Sequence, residues 1–311
     1  MAPLSTAVQS LPEESFQTFA PTLDQPTFLM CPPQWYDVNY VLNPWMAGNV
    51  HKPSRTLAFT QWKALYNALR EVADVRLLHP EPECPDMVFL GHGALVHHGV
   101  AALSSFHHGE RRMESGYLRA WLEEHGFVIR GTPQETSFEG EGDATFSNDG
   151  QLLWAGHGVR TSKAAHRHIA DAWRLRVRSL NLHDPRFYHL DTCFAPLADG
   201  YLLYYPGAFD GASLAAIHAE YPEDRLIAVS EQDAAHLACS VLAVGHRLFS
   251  GEISVGLAGR LQAAGFDVRQ FDLSEFLKGG GGARSLALRL SDPFDLSAEA
   301  SLFEALGASK S

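Results

Sequence analysis

The sequence predicts an α/β fold in which five similar units close into a ring-like propeller. An amphipathic helical stripe followed by an apolar or β-branched run occurs five times, at residues 61–78, 117–130, 163–182, 212–229 and 254–273. The units recur at intervals of about 45 to 50 residues, which is the scale of structural repeats. Strand-length apolar runs lie between them: TFLM, DMVFL, LLWAG, YLLYY and VLAVG. Such units bury their apolar faces by closing on one another, with helices outside and strands around a central axis.

The spacing of apolar residues justifies each unit in turn. In the first, Trp62, Leu65, Leu69 and Val72 form one helical face before the strand-like run VRLL. The helical stripe of the second unit precedes HGFVIR, and the third unit repeats the pattern over residues 163–182. The fourth ends in RLIAVS and the fifth in AAGFDV, which echoes the HGFV of the second.

A doubly wound parallel sheet is the alternative fold. It is disfavoured because no GxGxxG motif joins an early strand to a helix. The only glycine run, GGGG at 279–282, follows the last helix and precedes a strand, and it lacks the order of a phosphate-binding P-loop.

Composition narrows the class of protein. The 311 residues are 46% hydrophobic, which suffices for a sizeable core. We expect residues 1–26 to form an N-terminal extension and residues 27–311 to form one catalytic domain. The net charge of −12 disfavours nucleic acid as a partner. No apolar run is long enough for a membrane helix and the N-terminus does not resemble a signal peptide, so a cytoplasmic location is expected.

The sulfur and imidazole side chains indicate no metal centre. The four cysteines are far apart and without CxxC spacing, so we expect buried, reduced thiols; they are Cys31, Cys84, Cys193 and Cys239. The histidine-rich stretches at 92–98, 106–108 and 166–168 lack the spacing of an HExxH motif. We therefore expect ordinary surface or core histidines, and no metal or cofactor.

Four short motifs carry candidate chemistry. FEGEGDATF holds Glu139 and Asp143, GHGVRTS holds Arg160, YHLDTCF holds His189 and Asp191, and GGGGARS ends in Ser285. We expect the histidine and Asp191 to alternate along a strand and to project to one face. A His-x-Asp pair of this kind is by itself more often a packed hydrogen-bonding pair. Together the motifs suit nucleophilic substitution at a planar, electron-poor carbon.

In this order, FEGEGD, GHGVRTS, HLDT and GGGGAR resemble the guanidino-group modifying enzymes of the pentein fold. These include arginine deiminases, dimethylarginine dimethylaminohydrolases, arginine dihydrolases and amidinotransferases. The stretch MCPPQWYDVNYVLNPWMAGN resembles the amidinotransferase and dimethylargininase-like branch, and the likeness covers nearly everything after residue 27. It implies five α/β repeats with the active site on the central axis. It also implies a hydrolase acting on the guanidino carbon through a covalent intermediate, or alternatively an amidinotransferase.

The resemblance implies roles for individual residues. His189 corresponds to the general acid and base, Glu139 to the carboxylate that holds the guanidinium, and Asp191 to a second carboxylate there. Arg160 resembles an arginine that holds the substrate's α-carboxylate, and Arg111 does so less closely. Asn43 lies in the N-terminal segment that lines the pocket in this branch.

Two positions depart from the family pattern. The family's nucleophile is a cysteine directly after the glycine run, where this chain has Ser285, and a hydroxyl is a far weaker nucleophile than a thiolate. Either this serine is an engineered replacement that traps a substrate, or the natural protein is not a standard member of the family. Relatives place an acid or asparagine near His92, and a histidine cannot neutralise a guanidinium there. The sequence thus predicts a guanidino or ureido small-molecule ligand, and it leaves open a binding protein without turnover. A homodimer is compatible with it.

Overall fold

A computed structural model describes residues 25–131, 136–147 and 150–291 of the chain. All but the last two residues of the predicted extension, 1–26, lie outside these ranges. The strands within them are β1 (Thr27–Met30), β2 (Asp74–Leu77), β3 (Ala94–His97), β4 (Val100–Leu103), β5 (Val128–Gly131), β6 (Ala144–Phe146), β7 (Leu152–His157), β8 (Arg176–Asn181), β9 (Phe194–Leu197), β10 (Tyr201–Tyr204), β11 (Leu226–Ala228), β12 (Leu242–Val244), β13 (Arg247–Ser250), β14 (Asp267–Gln270) and β15 (Ala287–Ser291).

The helices lie between strands of the same unit or beside the strand ends. They are α1 (Arg55–Leu69), α2 (Glu114–Glu124), α3 (Gly140–Asp143), α4 (Ala165–Trp173), α5 (Gly211–Glu220), α6 (Glu231–Ala234), α7 (Val255–Ala263) and α8 (Ser274–Leu277). Ser54, Asp210 and Ser254 cap α1, α5 and α7, because each side chain accepts a backbone N–H that the first helical turn leaves unpaired. These caps define where the outer helices begin.

Within the residues that the structure describes, five three-stranded sheets form a repeated architecture. In each sheet the central strand pairs antiparallel with one neighbour and parallel with the strand that follows the unit's long helix, as β10 does with β9 and β11. The first sheet combines β1 and β2 with β15, so the two ends of the described chain meet in one sheet. This arrangement confirms the five predicted helix-plus-strand units and the predicted α/β propeller of the pentein type.

One of the five apolar runs interpreted as strands is not a strand, and the error affects the site. DMVFL forms the 3₁₀ turns Pro85–Val88 and Leu90–His92, and β3 begins only at Ala94. Proline favours the first position of such a turn because its φ is already fixed there. A Cβ on Gly91 would lie 2.9 Å from the carbonyl oxygen of Arg284, so the turn passes directly against the end of the glycine run. His92 is thereby brought beside Ser285.

The largest apolar cluster joins the sheets β6–β8, β9–β11 and β12–β14, with Trp154 and Phe194 fully buried in it. Within the described ranges, none of the helices is both long enough and apolar enough to cross a membrane.

Candidate active site

The glycine run lets the backbone pass between packed aromatic side chains. A Cβ on Gly281 would overlap the ring of Phe89, and Gly280 has a φ of +86°, a conformation that side-chain-bearing residues rarely adopt. Two side chains hold the run in place: Asn43 Nδ2 donates to the carbonyl of Gly279 at 3.0 Å, and Tyr188 Oη donates to that of Gly280 at 2.8 Å. The run therefore ends in a fixed position, from which Ser285 projects inward.

Ser285 lies almost completely buried beside Asp191, and its Oγ donates to Asp191 Oδ2 at 2.8 Å. The second carboxylate oxygen, Oδ1, has no hydrogen-bond partner in the described part of the chain. Burial alone would raise the pKa of Asp191, but its contact with His92 holds that pKa below its ordinary value. Asp191 is thus an ionised carboxylate with one oxygen available to a ligand.

Asp191 does not lie on the strand that the sequence suggested. His189 is extended, but Leu190–Thr192 forms a 3₁₀ turn, and β9 begins only at Phe194. Side chains fix this turn: the backbone N–H of Leu190 donates to Asp143 Oδ1 at 3.1 Å, and Thr192 Oγ1 donates to the carbonyl of His189 at 2.6 Å. Alternation along the sequence could not show these contacts; both site residues are buried.

His189 is fully buried, and its Nε2 lies 2.7 Å from Glu139 Oε2. Burial first, and the neighbouring His92 next, lower the pKa of His189 to about 3, so the ring is neutral near pH 7. Glu139 is ionised, because Arg160 and His189 hold its pKa well below the ordinary value despite burial. The histidine must therefore donate its Nε2 proton to Glu139. That leaves Nδ1 as an unprotonated base, without a hydrogen-bond partner among the described residues.

Arg111 determines which ring nitrogen of a neutral His92 carries the proton. Its Nη1 lies 3.1 Å from His92 Nδ1, and a guanidinium can only donate, so Nδ1 must accept. A neutral His92 then carries its proton on Nε2, the atom 3.4 Å from Asp191 Oδ2. The edge of His92 that faces Asp191 is a hydrogen-bond donor.

His92, His189 and Asp191 place metal-ligand atoms within 4.8 Å of one another, a grouping not visible in the sequence. A histidine binds a metal through an unprotonated nitrogen. The hydrogen bond from Arg111 leaves His92 protonated at Nε2, so this ring presents a donor to Asp191 rather than a ligand atom. The group is better suited to hydrogen bonding than to metal coordination.

The two arginines predicted to hold a carboxylate are differently engaged. Arg111 donates Nε and Nη2 to Glu114, at 2.9 and 2.7 Å, and its Nη2 also reaches the carbonyls of Asp86 and Phe89. Arg160 donates one nitrogen to Glu139 and one to the carbonyl of Leu42, and its buried Nε has no partner within the described ranges. Arg160 is therefore the better placed of the two to bind a ligand anion.

Asp86 is a site residue that the sequence reasoning missed. It is 1% exposed, and neither carboxylate oxygen has a hydrogen-bond partner among the residues that the structure describes. Burial raises its pKa, and Arg111 opposes that rise. Asp86 lies in the apolar run DMVFL, which predicts a strand. The sequence signal that could have identified it as a site residue is the presence of an acid in that apolar run.

A small pocket lies beside these groups. Its lining includes Asp86, His92, Arg111 and Arg160, together with Leu42, Asn43, Met46, Phe89, Tyr188 and Gly279; Ser285, His189 and Asp191 are not among the lining residues. The remaining space is about enough for one water molecule. The amide oxygen of Asn43 accepts the N–H groups of Trp45 and Met46, so Asn43 also shapes the covering segment.

None of the four cysteines is a candidate nucleophile. All are free and buried, as predicted, and burial raises the pKa of each thiol. A thiol of raised pKa stays protonated and unreactive near pH 7. Ser285 is therefore the hydroxyl or thiol group that the described structure places at the centre of the site.

The comparisons with known proteins agree with this geometry. The sequence model of the eukaryotic N,N dimethylarginine dimethylhydrolases matches residues 37–290. The chain is 47% identical over 270 residues to the bifunctional arginine dihydrolase/ornithine cyclodeaminase ArgZ of Synechocystis sp., covering 87% of this chain but only 38% of that relative. It is 36% identical to the N(G),N(G)-dimethylarginine dimethylaminohydrolase of Mycobacterium tuberculosis, covering 85% of each chain.

Two crystal structures of the N-terminal domain of Synechocystis ArgZ resemble the chain closely. A Cys-to-Ser variant bound to substrate has a TM-score of 0.85 at 47% identity and covers 86% of this chain and 99% of its own. An Asn-to-Ser variant covalently bound to a reaction intermediate has the same TM-score and identity, covering 86% and 98%. Fold and matches define a guanidino-group modifying pentein protein. Within that class, the chain belongs to the dimethylarginine dimethylaminohydrolase family.

Proposed function

We propose that the site binds an α-amino acid whose side chain ends in a guanidino or ureido group, and that residue 285 attacks the central carbon of that group. The observation that carries the proposal is the convergence of Ser285, Asp191 and His189 in one buried site. Ser285 Oγ lies 2.8 Å from Asp191 Oδ2, and a ring nitrogen of His189 lies within 4.8 Å of an oxygen of the same carboxylate. A nucleophile, a base and a carboxylate are the parts that covalent hydrolysis requires.

The pocket beside these three residues, which His92 connects to Asp191, suits an amino acid head group. Arg160 has an unpartnered Nε to donate to an α-carboxylate, and Asp86 has two unpartnered oxygens to accept from an α-ammonium group. Both residues line the same small pocket. Because that pocket has room for little more than one water molecule, binding of an amino acid requires lining residues to move.

The proposed reaction has two steps. Ser285 Oγ bonds to the central carbon while its proton passes to His189 Nδ1; His189 then returns that proton to the leaving nitrogen as the C–N bond breaks, which releases ammonia or an amine. Water next gives a proton to His189 and attacks the same carbon, the bond from that carbon to Ser285 Oγ breaks, and His189 returns the proton to Ser285 Oγ. A guanidino substrate gives a ureido product by this route.

A relative supports the assignment of Ser285 and His92, the two departures from the family pattern, to the reactive site. In the Synechocystis ArgZ domain, the cysteine and the asparagine that were substituted are as far apart in sequence as Ser285 and His92 are here. The cysteine variant holds substrate, and the asparagine variant holds a covalent intermediate. Both positions are thus connected with substrate chemistry in that relative. The cytoplasmic location and the homodimer stay predictions.

A second function, ligand binding without turnover, is favoured by the hydrogen bond of Ser285. Its proton is directed to Asp191, whose pKa lies below the ordinary value, and such a carboxylate is a poor base for a serine hydroxyl. Attack by Ser285 is therefore expected to be slower than attack by a thiolate by several orders of magnitude.

The test compares the Ser285 protein with Ser285→Cys and Ser285→Ala, each incubated with arginine, methylated arginines and citrulline. We expect ammonia, amine or ureido product from Ser285→Cys, at least about 10³-fold less from the Ser285 protein, and none from Ser285→Ala. Binding without turnover in all three proteins would establish the binding function instead. If none of the three proteins binds or converts any of these compounds, both proposed functions are refuted.

A further inference from the structure

We infer that His92 makes this pocket selective for a neutral ureido amino acid over the corresponding guanidinium compound, and that Arg111 is the positioning residue responsible. The inference rests on the proposed function and adds the chemical class of its ligand. It depends on which hydrogen-bonding groups the buried side chains still have available.

The reactive end of the site offers two acceptors and one donor. The acceptors are Asp191 Oδ1 and His189 Nδ1, neither of which has a hydrogen-bond partner within the described ranges. The donor is the Nε2–H of His92, held in that state by Arg111 at 3.1 Å; it faces Asp191 Oδ2 at 3.4 Å, so a ligand oxygen competes with that carboxylate for it. The ring of His92 lies 4.2 Å from that of His189, centroid to centroid, so this donor lies at the reactive centre.

His92 cannot readily reverse its polarity. Turning the ring over would direct a C–H group at the Arg111 guanidinium, and moving the proton to Nδ1 would place two donors 3.1 Å apart. Arg111 is itself held by two hydrogen bonds to buried Glu114 and by backbone carbonyls, so it cannot turn away without losing them. The histidine therefore remains a donor while it is neutral.

This polarity matches a ureido group and opposes a guanidinium. A ureido group has one carbonyl oxygen to accept from His92, and N–H groups to donate to Asp191 and His189. A guanidinium has only donors, so one N–H would meet the His92 donor in a buried site. An acid at this position would accept that N–H and balance the positive charge. Here Asp191 carries the negative charge that contacts Ser285, and hydrogen bonds from His92 and Ser285 already stabilise it.

L-citrulline and L-arginine form a matched pair, since they share head group and length and differ in one oxygen for one nitrogen. Calorimetry on the Ser285 protein should show L-citrulline binding at least about tenfold more tightly than L-arginine, the cost of one unmatched buried donor. In His92→Asp the preference should shift toward L-arginine by at least about tenfold. L-ornithine, which lacks the planar group, measures binding of the head group alone.

The outcomes of these binding measurements distinguish failure of the selectivity from failure of the proposed function. Equal or tighter binding of L-arginine by the Ser285 protein would overturn the selectivity and leave the proposed function standing. If the protein binds neither L-citrulline nor L-arginine, both the selectivity and the proposed function are overturned. If His92→Asp fails to fold, ¹⁵N NMR of the Ser285 protein decides: the inference requires the His92 Nε2–H tautomer, and a proton on Nδ1 would contradict it.

Discussion

Arg111 Nη1 lies 3.1 Å from His92 Nδ1, and both side chains are at least 96% buried. Arg111 thereby acts on the site through His92 rather than by contact with the reacting group of the ligand. The contact is a product of the fold, because His92 ends a 3₁₀ turn before β3 whereas Arg111 lies in the turn Gly109–Arg111 before α2. It turns a neutral imidazole into a fixed hydrogen-bond donor.

Replacing Glu139 by Gln tests whether this carboxylate is structurally required. Glu139 accepts from His189 Nε2, Arg160 Nη1 and the backbone N–H of His107. The change leaves the Arg160 guanidinium buried without its counter-charge, so we expect unfolding free energy to fall by about 3 to 5 kcal/mol. Chemical denaturation measures it. Glu220→Gln, in an exposed ion pair with Arg178, is the control and should cost less than about 1 kcal/mol. Equal costs would show that the Glu139 pair contributes no more than a surface pair.

The pKa of His189 predicts a pH dependence of stability. Below pH 6.5 the unfolded chain binds a proton at this histidine, whereas the folded protein does not do so until about pH 3. The unfolding free energy should therefore decrease as pH falls, by about 2 kcal/mol between pH 7 and pH 5 from this group. Gln can still donate to Glu139 but does not titrate, so His189→Gln should lose that part of the slope. Identical slopes in both proteins would mean that His189 titrates normally.

Gly142 allows the two site histidines to pack against α3. A Cβ at this position would lie 2.8 Å from His92 Cδ2 and 3.2 Å from His189 Nδ1. We expect Gly142→Ala to displace one ring and to weaken binding of L-citrulline and L-arginine alike, by about tenfold or more. Gly259→Ala is the matched control, because nothing lies within 4 Å of its added Cβ in α7. Unchanged binding in Gly142→Ala would show that the rings have room to move.

The repeated parts of the fold could be predicted from sequence because each unit has a strong local pattern. The helix of the fourth unit, for example, is bounded by Asp210 and by the strand-like RLIAVS, and both signals are local. The residues that the family motifs carry, such as Glu139 and His189, also meet in the structure. The order of the motifs predicts such contacts only because it resembles that of proteins with the same fold.

The rest of the site depends on contacts between distant segments. The turn at Asp191 is fixed by Asp143, which lies 47 residues before Leu190, and no periodicity reveals such a contact. The run containing Asp86 is apolar enough for a strand, but Pro85 and the close approach of Gly91 to Arg284 favour a turn. The tautomer of His92 likewise follows only once Arg111 is seen beside it.

A crystal structure of the Ser285 protein soaked with L-citrulline tests the central claim most directly. The account predicts intact ligand with its ureido carbon about 3.5 Å from Ser285 Oγ, its oxygen accepting from His92 Nε2, its α-carboxylate on Arg160 and its α-ammonium group on Asp86. A ligand bound outside this pocket, or bound in it with the head group at Ser285, would contradict the account.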